Sequence, residues 1–416
     1  MDYSSQPLRS LRIVIVHPDL GIGGSERLVV DVALALRQKG HKVTILTAHY
    51  DPSRCLRESR DGNLNIASRR APIPASIAGR LRGPCSIGRM GYLTAAMIRE
   101  KMTPDLVFCD LVPHVIPLIR CLTKAKVLYY CHFPDVFLTP ARSPLYNIYR
   151  LPLDHLEQVG IGMAHTVLVN SLFTRETLLR TFPLLRAKRI EVLHPCVDVK
   201  AYANRKRPVP DLSVSSRPRP TTILSINRFD PRKNLNLALE SLARLRALLP
   251  PSVFEKLKLT VVGGCDERLL EQRQTRQDLE DLSRRLNLQG SVNFLLNVTD
   301  ERLKQLLQDC YCLVYTSVGE HFGIGIVEAM AAGKPVIAVN QGGPLEILQD
   351  GVTGCLCDPT PRAFAEAIAN LIQDPQRATG LGIAATKRAA ELFSRESFSH
   401  RLDELVRTTV PVDAHV

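Results

Sequence analysis

Tryptophan is absent from this sequence of 416 residues, and aromatic residues make up only 5% of it. Proteins that bind single-stranded nucleic acids stack the bases on aromatic side chains, so this scarcity argues against such a function. Disorder is also disfavoured, because 45% of the residues are hydrophobic and 23% are charged, as in an ordinary globular protein. A chain of this length is too long for one core and predicts two domains of about 200 residues each.

Cysteine pairs with zinc-binding or redox spacing are also missing. The chain has 11 cysteines, an odd number, with no Cys-x-x-Cys and only two close pairs, Cys310/Cys312 and Cys355/Cys357. This pattern fits neither a disulfide framework nor a zinc site, and it indicates a reducing compartment.

Long hydrophobic runs do not occur either. The N-terminal residues MDYSSQPLRS have no apolar segment, so we expect no signal peptide. The best membrane candidate, Cys85–Ile98, has only 14 residues and contains Arg89. It is too short to span a bilayer but could lie on one, and we expect no transmembrane helix.

What the sequence does contain is positive charge, concentrated in one half. The net charge is +13; residues 1–200 hold 27 Lys and Arg against 16 Asp and Glu, whereas residues 201–416 hold 27 against 25. Ten of the basic residues lie between Arg54 and Lys101. Such an excess can attract nucleic acid, an anionic membrane surface or a phosphorylated substrate, and a solvated basic surface is an equally good interpretation.

Apolar runs typical of strands alternate with helical patterns in both halves of the chain, which predicts parallel sheets covered by helices. In the first half the runs are 11–17, 41–46, 104–110, 125–132, 165–170 and 189–195. In the second half they are 221–227, 258–264, 291–296, 312–317, 335–340 and 353–358. Residues 199–220 between them are rich in Pro, Ser and Arg and predict a linker. The fold class is therefore α/β, with two Rossmann-like halves whose ligands bind at the carboxyl ends of the strands.

The first motif is HPDLGIGGSERLV, His17–Val29, where a strand ends, a glycine turn follows and a helix begins near Ser25. Backbone N–H groups at such a helix start can approach an anion closely. The spacing is not Gly-x-Gly-x-x-Gly, so a dinucleotide site is a weak match and a turn without a ligand is a real alternative.

The second motif is SINRFDPRKN, in which Arg228 and Lys233 follow a buried strand and precede a helix. A guanidinium fork and an ammonium group together can hold a pyrophosphate. A salt bridge to acidic residues of the same domain is the alternative.

The third motif is EHFGIGIVE, with Glu320 in a loop after a strand and Glu328 about one turn inside the following helix. Its glycines admit phosphate or sugar close to the backbone amides of Phe322, Gly323 and Ile324. Carboxylates accept hydrogen bonds from ribose and hexose hydroxyls. The acid pair could also belong to a glycosidase, although hydrolysis would not need the two cations of the second motif. No Asp-x-Asp, the motif that would hold a divalent ion against a pyrophosphate, occurs in the chain. The two cations of the second motif could neutralise the pyrophosphate in place of that ion.

These motifs together resemble the family 4 retaining glycosyltransferases, which have the GT-B fold. The resemblance covers nearly the whole chain, through GIGGSERLV, NRFDPRKN, the acid pair of EHFGIGIVE and GKPVIAVNQGGPLE. Within that family, HPDLGIGGSERLVVD, YYCHFPD, LSINRFDPRKNL and GGCDERLLE are most similar to the eukaryotic mannosyltransferases that extend the dolichol-linked oligosaccharide.

The resemblance implies two facing Rossmann-like domains with an interdomain cleft, at 1–198 and 221–394, with 199–220 as the linker and 395–416 as a helix returning to the first domain. It implies GDP-mannose as donor and Man-GlcNAc2-PP-dolichol as acceptor, with one α-1,3 and one α-1,6 transfer in early N-glycan precursor assembly. The enzyme would be peripheral on the cytosolic face of the endoplasmic reticulum membrane, would need no metal or other cofactor, would not bind nucleic acid, and could associate with other early glycosylation transferases. The alternatives are a retaining GT-B transferase with a different sugar nucleotide and an inactive GT-B scaffold.

The resemblance also implies roles for individual residues. Arg228 and Lys233 would hold the donor pyrophosphate, and Glu320 would hold the transferred mannose. Glu328 would bind the ribose, and His132 would lie over the sugar ring. The remaining donor-binding residues would be Gly23, Gly24, Phe322, Gly323 and Ile324, and the acceptor-binding residues Asp19, Arg27 and Asp135.

Overall fold

The structure is a computed structural model that describes residues 9–77, 81–138, 144–203 and 221–411. The chain divides into two compact units. The first unit consists of the chain up to Pro195 together with the segment that begins at Arg395. The second unit is Cys196–Ser394. The first residues of the predicted linker, Val199–Ala203, form a short helix of the second unit. The rest of that linker, 204–220, lies outside the described residues.

The first unit is built on a parallel sheet of seven strands in the order β3-β2-β1-β4-β5-β6-β7. The strands are β1 Arg12–His17, β2 Lys42–Thr47, β3 Asn65–Ser68, β4 Leu106–Asp110, β5 Lys126–Cys131, β6 Thr166–Val169 and β7 Ile190–Val192. Six of them coincide with the apolar runs of the sequence. β3 is missed because this edge strand has no buried residue and hence no apolar run.

Helices connect these strands, as parallel pairing requires. They are α1 Gly24–Gln38, α2 Arg57–Arg60, α3 Arg82–Arg99, α4 Ile116–Leu122, α5 Asp135–Leu138, α6 Pro144–Met163 and α7 Leu172–Thr181. The central strands β4 and β5 are buried along almost their whole length, as strands covered on both faces are.

Helix α3, which contains the candidate membrane segment, packs into the core of the first unit. Met90, Leu93 and Met97 are fully buried in the same hydrophobic cluster as the sheet residues. Arg89, on the same helix, is only 6% exposed. The apolar face of this segment is covered by the protein itself, and contact of its outer face with a membrane surface stays a prediction. Within the described ranges, no helix has both the length and the apolar composition needed to cross a bilayer.

The second unit has a parallel sheet of six strands in the order β10-β9-β8-β11-β12-β13. The strands are β8 Thr221–Ile226, β9 Leu257–Gly263, β10 Val292–Leu296, β11 Cys312–Tyr315, β12 Val336–Val339 and β13 Cys355–Cys357. The helices are α8 Val199–Ala203, α9 Asn236–Leu248, α10 Pro251–Phe254, α11 Leu270–Arg285, α12 Asp300–Asp309, α13 Ile324–Ala331, α14 Pro344–Ile347, α15 Pro361–Gln373 and α16 Pro375–Leu392. Side chains of Thr299, Thr360 and Asp374 cap the N-termini of α12, α15 and α16.

The last helix, α17 Arg395–Thr409, belongs to the first unit. The imidazole Nε2 of His41 lies 2.8 Å from Asp403 Oδ1. The hydroxyls of Thr166 and Thr409 are also 2.8 Å apart. These contacts tie the end of the chain to the sheet and to the loop before β2.

Candidate active site

In the second unit, two loops that follow neighbouring strands bring Lys233 and Glu320 together. The turn after β8 carries Lys233 and the loop after β11 carries Glu320, and β8 pairs with β11. The ammonium Nζ of Lys233 lies 2.6 Å from Glu320 Oε2. The hydroxyl of Thr316 donates to the backbone carbonyl of Lys233 at 2.9 Å, which fixes one loop against the other.

The carboxylate of Glu320 is held in its ionised form. Burial by itself would raise the pKa of Glu320, but Lys233 and the hydroxyls of Tyr315 and Ser317 outweigh that effect and lower it. The phenol of Tyr315 donates to Glu320 Oε2 at 2.7 Å. Tyr315 is a site residue that the sequence analysis missed, although its position as the last residue of β11 was a usable signal.

The guanidinium of Arg228 stands in the same turn as Lys233 but is exposed. In the described part of the chain it forms no salt bridge. The turn that carries Arg228 can pack against the end of strand β9 because that strand ends in glycine. A Cβ on Gly263 would lie 1.7 Å from the carbonyl oxygen of Asn227. A positively charged side chain without an acidic partner is therefore presented beside the Lys233–Glu320 pair.

The loop that carries Glu320 rests on the glycines of the Gly-Gly-Pro sequence. A Cβ on Gly342 would lie 2.6 Å from the Glu320 carbonyl oxygen, and one on Gly343 would lie 2.3 Å from the Phe322 carbonyl oxygen. The amide of Gly343 donates to the Glu320 carbonyl at 2.8 Å. Gly323 has φ +105°, a conformation that glycine adopts without strain.

The donor residues predicted around Gly323 differ in what they can present. The side chain of Phe322 is buried against Phe393, with ring centroids 5.8 Å apart, so only its backbone is open to a ligand. Ile324, the first residue of α13, is exposed. The helix start therefore offers backbone N–H groups rather than side-chain chemistry.

Glu328 lies about one turn inside α13, and its hydrogen-bond contact is with a residue outside the Lys233–Glu320 pair. The hydroxyl of Tyr202, on α8, is 3.5 Å from Glu328 Oε1. Burial, helped by the charge of Asp300, raises the pKa of Glu328 to about 7. This carboxyl group is thus a hydrogen-bond donor or an acceptor depending on pH.

In the first unit, a buried carboxylate joins two histidines at the ends of three adjacent strands. Asp110 Oδ2 lies 2.9 Å from His17 Nδ1, and Asp110 Oδ1 lies 2.9 Å from His132 Nε2. His17 ends β1, Asp110 ends β4 and His132 follows β5. Of these three, the sequence analysis singled out only His132. The signal for the other two was again their place at the carboxyl end of a parallel strand.

The electrostatics of this cluster fix the orientation of His132. Burial would raise the pKa of Asp110, but the two histidines outweigh it and lower that pKa to about 2. The ionised carboxylate accepts the Nε2–H of His132, which leaves its Nδ1 as the atom available elsewhere. The side chain of His132 is 25% exposed, whereas that of His17 is 1% exposed. His17 Nε2 is buried without a hydrogen-bond partner among the described residues.

Two predicted acceptor-binding residues of the first unit have ion-pair partners of their own. The guanidinium of Arg27 bonds both Asp31 and Glu58. Asp135 accepts a hydrogen bond from Arg150 at 2.5 Å and is 47% exposed at its side chain. Asp135 thus remains accessible, while Arg27 is largely committed to its neighbours.

The third predicted acceptor residue, Asp19, is bound by the buried Arg89 of α3. The two outer guanidinium nitrogens lie 2.5 and 2.7 Å from the Asp19 oxygens. Gly23 and Gly24 follow at the start of α1. Among the described residues, no atom beyond the chain neighbours and the helix's own backbone lies within 4 Å of a Cβ built on Gly24. Packing within the protein does not require glycine at that position.

No group of three or more His, Cys, Asp and Glu side chains with a geometry suited to a metal ion occurs within the described ranges.

Comparison with known proteins identifies the family. The family model described as Glycosyltransferase Family 4 matches residues 22–201, and the one described as Glycosyl transferases group 1 matches residues 213–388. The chain is 41% identical to the α-1,3/1,6-mannosyltransferase ALG2 of Homo sapiens over 94% of each chain. The chain belongs to the α-1,3/1,6-mannosyltransferase family. A further member, ALG2 of Saccharomyces cerevisiae, is 33% identical over 96% of this chain and 85% of the yeast protein. The predicted family is thus confirmed, and the protein is a glycosyltransferase.

Solved structures confirm the fold class. Sucrose-phosphate synthase from Thermosynechococcus elongatus superposes with a TM-score of 0.72 at 23% identity, covering 96% of this chain and 99% of that one. Anabaena HepE in complex with UDP gives a TM-score of 0.70 at 20% identity, covering 96% of this chain and all of the other. The two parallel α/β sheets are those of a GT-B glycosyltransferase.

Proposed function

We propose that this enzyme transfers mannose from GDP-mannose to Man-GlcNAc2-PP-dolichol, making one α-1,3 and one α-1,6 linkage with retention of configuration. The α-1,3/1,6-mannosyltransferase activity of its relatives, which are 33–41% identical to it, supports the two linkages. The proposal places the reaction early in N-glycan precursor assembly, on the cytosolic face of the endoplasmic reticulum membrane, with the enzyme attached peripherally.

The observation that carries the proposal is the Lys233–Glu320 pair beside the unpaired Arg228. An ammonium group has three N–H donors, and the contact with Glu320 at 2.6 Å uses one of them. The other two, with the guanidinium fork of Arg228, suit the oxygens of a nucleotide diphosphate. Cationic side chains then take the place of a divalent ion, so the proposal includes transfer without a metal.

In the reaction, the acceptor hydroxyl oxygen forms a bond to C1 of mannose while the bond from C1 to the β-phosphate oxygen breaks. The acceptor proton passes to the leaving phosphate oxygen. Negative charge therefore grows on the diphosphate, where Lys233, Arg228 and the N-terminus of α13 stabilise it. Glu320, kept ionised, accepts hydrogen bonds from the mannose hydroxyls.

His132 has a supporting role in this proposal. Because Asp110 holds its Nε2, the Nδ1 atom is the one that contacts the transferred sugar. Glu328 binds the ribose of the nucleotide, and the N-terminal glycines Gly23 and Gly24 let phosphate approach the backbone.

The test is incubation of the purified protein with GDP-mannose or a UDP-sugar, together with the lipid-linked mannosyl-chitobiose, with and without EDTA. We expect two mannoses to be added from GDP-mannose, in α-1,3 and α-1,6 linkage, at an unchanged rate in EDTA. Transfer from a UDP-sugar instead would favour the alternative donor, and no transfer at all would favour a scaffold. Loss of activity in EDTA that manganese restores would contradict the metal-free part of the proposal.

A further inference from the structure

The first unit contains a cavity at the carboxyl ends of β1, β2 and β3 that the proposed donor site does not use. Its volume is about 510 Å³, which is in the range of small-molecule binding sites. The cavity is lined by Asp19, Ala48, His49, the loop Arg70–Ala75 and Arg89.

Two of its walls are rigidly built. Arg89 reaches the cavity from the buried face of α3, is 6% exposed, and directs two nitrogens to Asp19. Its Nε is buried and has no hydrogen-bond partner in the described part of the chain. The loop opposite is seated by Ile73, because Gly88 of α3 leaves room for it: a Cβ on Gly88 would lie 2.9 Å from Ile73 Cδ1.

The charges that line the cavity favour a ligand with both phosphate and hydroxyl groups. Arg70 is exposed and forms no salt bridge within the described ranges. His49 Nδ1 lies 3.7 Å from Asp19, whose charge the guanidinium of Arg89 already balances. Arg70 therefore leaves a net positive charge suited to phosphate oxygens, while Asp19 can accept hydrogen bonds from sugar hydroxyls.

We propose that this cavity binds the diphosphate of the lipid-linked acceptor together with the sugar attached to it. Arg70 and His49 contact the diphosphate, and the Arg89–Asp19 pair contacts the sugar. This inference rests on the proposed function, since it assumes a diphosphate-linked acceptor. The donor diphosphate and the acceptor diphosphate are then bound by separate sets of side chains, the first in the second unit and the second in the first unit.

The test compares Arg70→Glu with Arg37→Glu, which makes the same charge change at an exposed arginine near the C-terminus of α1. For Arg70→Glu we expect the KM for the acceptor to rise about tenfold or more, equivalent to about 1.4 kcal/mol. Its kcat and its KM for GDP-mannose should stay within about twofold of the wild type. Arg37→Glu should change none of these, and His49→Ala should raise the acceptor KM by a smaller factor. Equal acceptor KM values for the two arginine variants would overturn the proposal.

A binding experiment without donor isolates the diphosphate. The probes are a short-chain citronellyl diphosphate carrying mannosyl-chitobiose and the same glycan on citronellol without the diphosphate. Arg70→Glu should weaken binding of the first probe and leave binding of the second unchanged. Equal weakening of both would overturn the assignment of Arg70 to the diphosphate. The assignment would also be overturned if Arg70→Glu lost binding to anionic phospholipid vesicles but kept normal affinity for the first probe. The cavity would then bind a membrane headgroup. Failure of the wild type to use GDP-mannose would instead contradict the proposed function, independently of Arg70.

Discussion

Replacing Asp110 with asparagine tests the buried histidine cluster most directly. The carboxylate accepts from both imidazoles at 2.9 Å, whereas an asparagine side chain has one acceptor oxygen and one NH₂ donor. One of the two histidines would then face the NH₂ group and lose its hydrogen bond or change tautomer. Asp110 is fully buried, so water cannot supply the missing partner.

The expected loss of stability follows from two contributions. The pKa of Asp110 falls from an ordinary 3.8 to about 2, and a difference of that size is worth about 2 kcal/mol in favour of the ionised form. An unsatisfied buried polar group costs about 1–3 kcal/mol. Together these contributions predict that Asp110→Asn lowers the free energy of unfolding by about 3–5 kcal/mol at pH 7, measured by urea denaturation.

The sign of the pH dependence is also fixed. Because the folded-state pKa of Asp110 lies below the unfolded value, its stabilisation is complete above about pH 4 and is lost as the pH falls towards 2. The stability difference between the wild type and Asp110→Asn should therefore shrink on acidification through this range.

The same substitution should slow transfer, because His132 loses the bond that fixes its ring. Misplacing a group that contacts substrate costs about 10² in rate, so we expect kcat to fall by about that factor with little change in the KM for GDP-mannose. Asp403→Asn is the matched control, since Asp403 lies 2.8 Å from His41 in the same unit. It should cost stability without changing kcat. An Asp110→Asn protein with wild-type stability and kcat would refute the role of the cluster.

The second unit yields three further predictions. Lys233→Ala should lower kcat by about 10²–10³, whereas Arg232→Ala, which removes a neighbouring cation bonded to its own Asp230, should change it little; equal effects in the transfer assay would contradict the diphosphate assignment. The pKa of Glu328 is raised to about 7, so the folded state holds this proton more tightly than the unfolded state. The free energy of unfolding should therefore fall by about 3 kcal/mol as the pH rises from below 4.5 to above 7. Glu328→Gln should remove this loss in urea denaturation at pH 5 and pH 8.5, and an unchanged pH slope would contradict it. Gly343→Ala places a methyl group 2.3 Å from a carbonyl oxygen of the loop that carries Glu320, so it should abolish most transfer; a wild-type rate would show that the loop tolerates displacement.

The sequence predicted the architecture well because buried parallel strands have a continuous apolar signature. Twelve of the thirteen strands in the described residues coincide with apolar runs, and the exception, β3, lies at a sheet edge where side chains remain half exposed. The loops that carry Lys233 and Glu320 could be located for a related reason: each directly follows such a strand.

The sequence does not show which positively charged side chains lack an acidic partner in the fold. Arg27 and Arg228 both belong to motifs that follow a predicted strand, yet Arg27 bonds Asp31 and Glu58 while Arg228 has no acidic partner among the described residues. Their difference depends on which acidic residues the fold places within reach, and those are as many as 31 positions away.

The sequence by itself determined the order of strands and helices, the family, and the strand-end positions where functional side chains stand, because all three depend on local patterns of residues. Tertiary structure alone decided that Asp110 joins two histidines, one of them 93 positions distant in the chain. It also decided that Arg89 faces the interior of the first unit rather than a membrane. Both outcomes depend on sheet order and helix packing, which bring together residues that no local pattern connects.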